Sequence, residues 1–215
     1  KKESSKIRLV FTRIKRVEYW NPFFEIICDI RTIKLKAKLL LSISFLSLFV
    51  YTLKAEEEDT PVVSPPDSEV HVFDLSYKNG QYQLDNGLNI SNNIGYDNQP
   101  YFTGSSESIL FVSVRDGKQT DVFEYEIKNK QTRQLTKTPH SEYSPKTSNH
   151  NKNITFVSEG GNPYQSVWSL ERSSGKSAWL LNSKEPVGYY AVNDKNGDVL
   201  FWSRYGWSVQ YLNIK

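Results

Sequence analysis

Short apolar runs separated by turn residues fill the second half of the chain, and these runs recur at a fixed spacing. Residues 109–113, 154–158 and 199–203 begin 45 residues apart, with phenylalanine third and serine fifth in each run. The runs are rich in Val, Ile and Phe and are bounded by Ser, Asn, Asp or Gly, a pattern that predicts β-strands. A fixed period of this length is typical of a repeat architecture, in which each repeat is one supersecondary unit.

Further features align at the same period. A second apolar run follows each of the first three, at 122–127, 167–172 and 209–214. Leu135 lies 45 residues before Leu180, and Pro100 lies 45 residues before Pro145, with Tyr190 at the corresponding place in the third unit. Four strands in about 45 residues is the size of one β-propeller blade. A β-sandwich with regular strand spacing is the alternative, but the fixed period favours an all-β propeller of four-stranded blades.

Two strands are predicted before the first complete repeat. Residues 70–75 and 88–91 have the pattern of the last two strands of a blade, and Ile90 lies 45 residues before Leu135. The propeller segment is therefore predicted to span 69–215, with about two complete blades and two partial ones. Propellers close with about four to eight blades, so we expect the ring to be incomplete and the sequence to be truncated.

The segment 34–55 has the parts of a secretory signal peptide. Three lysines precede an apolar and serine run of 13 residues, 39–51, and Ala55 is followed at once by four acidic residues. This order predicts export to the periplasm with cleavage after Ala55. The run is shorter than the roughly 20 residues that span a bilayer; a short membrane anchor and a buried helix are the alternatives.

Because a signal peptide begins at the initiator, residues 1–33 are interpreted as a non-native or disordered upstream segment. The rival interpretation is a long cytoplasmic tail on an anchored protein. Residues 56–68 are acidic and contain three prolines, which predicts a linker.

Charge and cysteine content limit the classes of partner. Residues 1–38 hold 11 Lys/Arg against 4 Asp/Glu, whereas residues 56–215 hold 15 against 20. An acidic globular part argues against nucleic acid as a partner, because phosphate binding needs clustered basic residues. The one cysteine, Cys28, lies before the propeller segment, so that segment can form neither a disulfide nor a thiolate metal site.

The unit formed by residues 98–117, 121–127 and 134–136 resembles the WD-like propeller repeat of the TolB family. The shared pattern is a proline and an aromatic residue, a turn, two aliphatic residues with Phe-x-Ser, Arg-Asp-Gly, and a closing Leu-Thr. The second unit lacks Arg-Asp-Gly and the third lacks the proline. The resemblance implies six blades in the full-length protein and an exported, non-catalytic module that binds other proteins. Related propellers gate peptidases of the prolyl-oligopeptidase type, but the sequence has no Gly-x-Ser-x-Gly elbow.

The sequence predicts no catalytic residue, no metal-binding residue and no cofactor. His71 falls in a predicted strand, and His140 and His150 fall in polar loops with no carboxylate or cysteine at ligand spacing, so packed or solvated histidine is the favoured interpretation. Residues 193–198 superficially resemble a calcium loop but lack the glycine at the sixth position and the distant glutamate. We interpret them as a hairpin turn.

The loops that lead into the innermost strands are the predicted binding site, since propellers usually bind ligands at the mouth of the central channel. These loops combine tyrosines with acidic groups, a mixture suited to a protein partner or a small polar ligand. An exposed hairpin tryptophan adds a candidate for stacking on sugars. The candidate residues are Tyr96, Asp97, Glu142, Tyr143, Tyr189 and Trp207.

Three alternatives stay open at this point. The tyrosines of these loops could serve only to pack between blades. The chain could be the propeller of a hydrolase whose catalytic domain is absent, or a carbohydrate-binding propeller. Contact with a membrane is expected only through the signal peptide or through associated envelope proteins.

Overall fold

The computed structural model describes residues 7–14, 66–115, 119–161, 164–181 and 184–213, and these residues form antiparallel β-sheets without helices. Blade 1 contains β1 (Ile7–Ile14), β2 (Ser68–Lys78) and β3 (Gln81–Asn89). Blade 2 contains β4 (Asp97–Phe102), β5 (Ser108–Ser113), β6 (Asp121–Glu126) and β7 (Gln131–Gln134). Blade 3 contains β8 (Glu142–Ser148), β9 (Asn153–Ser158), β10 (Ser166–Glu171) and β11 (Ser177–Leu181). Blade 4 contains β12 (Val187–Val192), β13 (Val199–Ser203) and β14 (Ser208–Leu212).

Each sheet is a meander in which neighbours in sequence are neighbours in space. Blade 2 has the order β4-β5-β6-β7, and blade 3 has the equivalent order from β8 to β11. The 45-residue repeat therefore marks four-stranded blades, as predicted, and the all-β propeller fold is confirmed. The four described sheets do not close into a ring.

The hydrophobic core consists of three layers, one at each junction between successive blades. Ile109 and Phe111 face blade 1, where they pack with Val70 and Val72. The alternate residues of β5, Leu110 and Val112, face blade 3. Side chains of a strand point alternately to opposite faces of the sheet, so a blade between two others is apolar on both faces. This accounts for the unbroken apolar run at 109–112, where every residue is fully buried.

The strand β1 differs from the sequence-based expectation for residues 1–33. Ile7–Ile14 pairs with β2 over eight residues in antiparallel register, from Ile7 opposite Leu75 to Ile14 opposite Ser68. The Thr12 hydroxyl also donates a 2.8 Å hydrogen bond to the Asn98 side chain of blade 2. Residues 7–14 thus form an ordered strand rather than a disordered segment, because an apolar extended segment satisfies an edge of β2 that would otherwise be unpaired.

Other expectations for the first 65 residues lie outside the described residues. These are the signal peptide at 34–55, its cleavage after Ala55 and most of the acidic linker at 56–68. Within the part of the chain that the structure describes, no helix is long and apolar enough to cross a membrane.

Candidate functional site

The innermost strands β4, β8 and β12 all begin at the same end of the blades. There, one backbone hydrogen bond recurs at the 45-residue period. The N–H groups of Val114, Glu159 and Arg204 donate to the carbonyls of Tyr96, Ser141 and Pro186 at 3.0, 2.9 and 2.9 Å. These bonds bring the loop before each innermost strand against the hairpin that follows the second strand. We call this end the tyrosine edge, defined by residues 95–99, 141–144, 186–189 and 204–207.

A β-bulge interrupts each innermost strand just inside the tyrosine edge. The register shifts between Asn98 and Tyr101 in blade 2, and equivalent shifts occur in β8 and β12. Gln99 and Ser144, 45 residues apart, have positive φ angles of 54° and 52°, a conformation that is uncommon for residues other than glycine. The Ser144 N–H donates to the Gln99 side chain at 2.5 Å and so links two blades at their bulges. Bulges re-aim side chains and are frequent next to functional sites.

Three tyrosines from three blades come together at this edge. Tyr96 is half-buried, and its hydroxyl accepts a 2.9 Å hydrogen bond from the Asn98 amide. Burial raises the pKa of Tyr96; the hydrogen bond from Asn98 opposes this, and the neighbouring phenols of Tyr143 and Tyr189 raise it further. The phenols of Tyr143 and Tyr189 are thus near enough to affect the ionisation of Tyr96. Tyr143 is half-buried, whereas Tyr189 is 71% exposed.

The two acidic candidates, Asp97 and Glu142, are fully buried and offer no surface to a partner in this conformation. They begin β4 and β8 at equivalent positions, and each lies at the junction with the preceding blade. Ser68 and Thr120 of the preceding blades donate their hydroxyls to the carbonyls of Asp97 and Glu142, at 2.9 and 2.8 Å. The sequence predicts these acids at the binding surface because they lie in the loops that lead into the innermost strands; in the structure they are part of the packing between blades.

Glu142 is held in a polar pocket between blades 2 and 3. Thr136 donates a 2.9 Å hydrogen bond to one carboxylate oxygen, and Thr138 donates to the other. Burial raises the pKa of Glu142 to about 7; the two threonine hydroxyls lower it, and the Asp121 carboxylate beside it raises it. At neutral pH this group is therefore poised between its acid and its carboxylate.

Asp97 is the equivalent acid between blades 1 and 2. Neither of its carboxylate oxygens has a hydrogen-bond partner of ordinary geometry within the described residues. Burial raises the pKa of Asp97, the nearby Ser113 hydroxyl and Arg115 oppose that shift, and Glu69 adds to it. Each of these two junctions thus contains a pair of acids, one from the innermost strand and one from the preceding blade, Glu69 of β2 or Asp121 of β6.

Trp207 lies where the sequence predicted, in the exposed hairpin between β13 and β14. It is 79% exposed and has a positive φ of 47°. Its ring meets Trp202 edge-on, with centroids 6.5 Å apart. Tyr205 in the same hairpin is 74% exposed, so this corner of the tyrosine edge presents two aromatic rings to solvent.

Sequence reasoning missed Tyr190 and Lys146, which join the innermost strands of blades 3 and 4. The buried Tyr190 hydroxyl is hydrogen-bonded to the carbonyl of Ser144 at 3.0 Å and to the Thr155 hydroxyl at 2.9 Å. Burial raises the pKa of this phenol strongly. The Lys146 ammonium lies 4.9 Å from the centre of the Tyr190 ring, and burial lowers its pKa. Tyr190 lies where the first two repeats have Pro100 and Pro145. This departure from the repeat was the available signal in the sequence.

Glu124 is a further buried acid, and its contacts are structural. Glu124 of β6 accepts hydrogen bonds from Ser108, Arg133 and, across the junction to blade 3, Arg172, at 2.6, 2.6 and 3.0 Å. Beside it is a polar cavity of about 430 Å³. The described residues contain no group of three or more His, Cys, Asp or Glu side chains arranged to hold a metal.

The loop at 193–198 is a hairpin turn, as predicted. The N–H groups of Asn193 and Gly197 donate 2.8 Å bonds to the carbonyls of Asp198 and Asn193, respectively, and close the turn between β12 and β13.

Meander blades, core layers between them and a repeated edge of bulged inner strands define this chain as part of a β-propeller. TolB from Acinetobacter baumannii has a similar fold, with a TM-score of 0.50 and 15% identity over 69% of this chain and 36% of that one. The chain thus spans about a third of the length of that relative. The predicted TolB-like resemblance is confirmed at the level of fold.

Two further solved structures align with lower scores. The putative TolB from Agrobacterium tumefaciens aligns with a TM-score of 0.48 and 13% identity, over 66% of this chain and 60% of that one. An oligogalacturonate lyase in complex with manganese also gives a TM-score of 0.48, with 12% identity over 70% of this chain and 40% of that one. No protein-family profile and no curated protein sequence matches the chain.

Proposed function

We propose that this chain is a non-catalytic β-propeller module, exported to the periplasm, that binds a protein partner through its tyrosine edge. The observation that carries the proposal is the convergence of Tyr96, Tyr143 and Tyr189 from three successive blades. Protein interfaces are enriched in aromatic residues, and tyrosine supplies a large contact area at a low cost in side-chain entropy.

The repeated bulges support the same interpretation. Positive φ angles at Gln99 and Ser144 are costly for residues other than glycine, and such conformations cluster at functional sites. A purely structural meander would need no bulge in three innermost strands. The bulges therefore favour an edge shaped to present side chains rather than only to pack blades.

The test compares two triple variants for capture of an envelope protein identified by crosslinking. Replacing Tyr96, Tyr143 and Tyr189 by alanine should abolish capture, and Tyr189→Ala alone should weaken binding by about tenfold or more, as at an interface hot spot. The matched control replaces three exposed tyrosines outside the tyrosine edge, Tyr77, Tyr82 and Tyr211, and should leave binding unchanged. Equal capture by both triple variants, with both shown to be folded by their thermal melts, would count against this site.

A carbohydrate ligand is the second candidate, favoured by the exposed rings of Trp207 and Tyr205. Aromatic faces exposed to solvent stack on the apolar faces of sugars in the same way that they bury other apolar surface. On a glycan array, wild-type binding that disappears in Trp207→Ala but persists in the triple tyrosine variant would support this candidate over a protein partner.

A further inference from the structure

Asp97, at the junction between blades 1 and 2, is a buried acid with an unsatisfied carboxylate. Its side chain is fully buried, and neither oxygen has a hydrogen-bond partner of ordinary geometry within the described residues. Removing a charge from water without compensation is costly, so buried carboxylates are normally paired, hydrogen-bonded or bound to a metal. An exception of this kind points to a bound ion or to a specific role.

The junction between blades 2 and 3 shows how the repeat satisfies an acid at this position. Glu142 lies 45 residues after Asp97 and is equally buried. Thr136 donates a 2.9 Å hydrogen bond to one oxygen of Glu142, and Thr138 donates to the other. Two hydroxyls from the segment that leads into β8 therefore hold this acid in place.

The equivalent side chains at the junction between blades 1 and 2 donate elsewhere. Ser91 and Asn93 take the places of the two threonines, 45 residues earlier in the chain. The Ser91 hydroxyl donates to Glu69 at 2.9 Å, and the Asn93 side chain donates to the carbonyl of Val114 at 3.1 Å. Asp97 therefore lies beside a second acid without either of the donors that its position has in the next blade.

That second acid, Glu69, is held as a carboxylate by its own contacts. Its Oε2 atom accepts hydrogen bonds from the Ser91 hydroxyl and the Asn89 amide, both at 2.9 Å. Hydrogen bonds of this kind favour the charged form of a carboxyl group. Burial raises the pKa of Asp97, and the nearby charge of Glu69 raises it further. Two buried acids are thus close enough to repel each other.

The basic side chains near this pair lie at the surface and do not bond to Asp97. Arg115 donates from Nε to the Ser113 hydroxyl at 3.1 Å and from Nη2 to a backbone carbonyl at 3.0 Å. Arg13 lies opposite Glu69 in the register of β1 and β2. Both arginines are exposed, so water and salt screen their charges. Neither donates a hydrogen bond to the Asp97 carboxylate.

We propose that Asp97 and Glu69 bind a hard divalent cation, Ca²⁺ in the first place, between blades 1 and 2. The hydroxyls of Ser91 and Ser113 lie beside Asp97, so oxygen atoms surround the site, and water can complete the roughly six to eight oxygen ligands that Ca²⁺ takes. A water alone would supply hydrogen bonds without charge, whereas a cation offsets both carboxylates. Ca²⁺ fits better than Mg²⁺, because it tolerates irregular geometry and gives up its waters more readily.

The site has a direct consequence for the tyrosine edge. Asp97 follows Tyr96 in the chain and begins β4, so an ion bound here fixes the start of that strand against blade 1. One such ion per chain is expected from the described junctions. Glu142 already has its two threonine donors, and Val187 takes the place of the acid at the junction between blades 3 and 4.

The test titrates CaCl₂ into the full chain after treatment with EDTA, at about pH 7.5, and measures both the heat of binding and the melting temperature. Wild type should bind one Ca²⁺ with a dissociation constant of about 0.1–1 mM, the range of extracellular calcium modules. At about 10 mM Ca²⁺ its melting temperature should rise by about 3–10 °C. NaCl at equal ionic strength should not produce this rise, and MgCl₂ should produce a smaller one.

Asp97→Asn and Glu69→Gln should each weaken Ca²⁺ binding by about tenfold or more, since the charge of the ligands sets the affinity. Glu142→Gln, at the equivalent buried position of the next junction, is the matched control and should bind Ca²⁺ as wild type does. Melts without Ca²⁺ verify that each variant is folded. Wild type that neither releases heat nor gains stability with Ca²⁺ would overturn the proposal and leave Asp97 as a buried neutral acid. Wild-type affinity in both Asp97→Asn and Glu69→Gln, or an equal rise in NaCl, would overturn it as well.

Discussion

The carboxyl group of Glu142 combines complete burial with an acidic neighbour, Asp121, and this determines how its charge affects the fold. Burial raises the pKa of Glu142 from its ordinary value of 4.5 to about 7. Between these two values the folded protein binds more protons than the unfolded chain, so its free energy of unfolding falls as the pH rises. Ionised Glu142 would face Asp121 at the junction of blades 2 and 3, where water is excluded.

We therefore expect Glu142→Gln to be more stable than wild type at about pH 8, by about 1–3 kcal/mol, and to lose this advantage at about pH 4.5. Urea unfolding across this range measures the difference. The matched control is Glu107→Gln, an exposed glutamate at the opposite end of blade 2. A stability difference that does not change with pH would show that Glu142 is ionised at all these pH values or that its carboxylate is not desolvated.

Tyr190 and Tyr189 are adjacent in sequence but differ completely in environment. Tyr190 is 3% exposed and is hydrogen-bonded to Ser144 and Thr155, whereas Tyr189 is 71% exposed. We expect Tyr190→Phe to cost about 1–2 kcal/mol, because it removes a hydrogen-bond partner from the Ser144 carbonyl and from the buried Thr155 hydroxyl. Tyr189→Phe should change stability by less than about 0.5 kcal/mol. Thermal melts of the two variants measure the difference; equal melting temperatures would contradict the role of the Tyr190 hydroxyl.

A polar contact between elements joins Glu124 of β6 in blade 2 to Arg172, which follows β10 of blade 3. Burial alone would raise the pKa of Glu124, but hydrogen bonds from Ser108, Arg133 and Arg172 outweigh it, and the pKa is lowered. The stability that this carboxylate contributes is present above its ordinary pKa and is lost as the pH falls below about 4.5. The sign is opposite to that for Glu142.

We expect Arg172→Met to destabilise the fold by about 1–3 kcal/mol, since it removes a partly buried charge from a carboxylate that stays desolvated. Arg133→Met is the comparison: its side chain is 66% exposed, against 20% for Arg172, so the loss should be smaller. A double-mutant cycle with Glu124→Gln, followed by urea unfolding at neutral pH, isolates the coupling energy. A coupling near zero for Arg172 would mean that solvent screens this contact.

The strands β5, β9 and β13 could be predicted from sequence because each is a short run that is largely apolar on both faces. The apolar runs at 109–113, 154–158 and 199–203 fall on β5, β9 and β13 almost residue for residue. The strand β1 could not be predicted in the same way. It has no counterpart in the repeat, and its pairing with β2 joins segments more than 50 residues apart. Long-range pairing of this kind leaves no local pattern.

The residues of the candidate site also differ in how far the sequence could predict them. Tyr96, Tyr143 and Tyr189 could be placed at one edge because the period fixes where each innermost strand begins. The burial of Asp97 and Glu142 could not be predicted, since it depends on hydroxyls and acids contributed by other strands. The 45-residue spacing between the two acids was nevertheless present in the sequence. In a repeat protein, an acid that recurs at the period is a better candidate for a junction between blades than for a binding loop.

At the scale of the whole molecule, burial falls from the middle blades to the outer ones. Residues 109–112 of β5 are fully buried, whereas Leu200 of β13 is 48% exposed and Leu84 of β3 is 50% exposed. In a stacked array, each unit is stabilised chiefly by its neighbours. Among the described residues, blades 2 and 3 each have two neighbouring blades, whereas blades 1 and 4 each have one. The outer blades should therefore open at a lower free energy than the middle ones.

We expect native-state hydrogen exchange to show the slowest amides in β5, β6 and β9 and the fastest strand amides in β3 and β14. Uniform protection across the four blades would contradict the dependence of each blade on its neighbours and would indicate one cooperative unfolding unit instead.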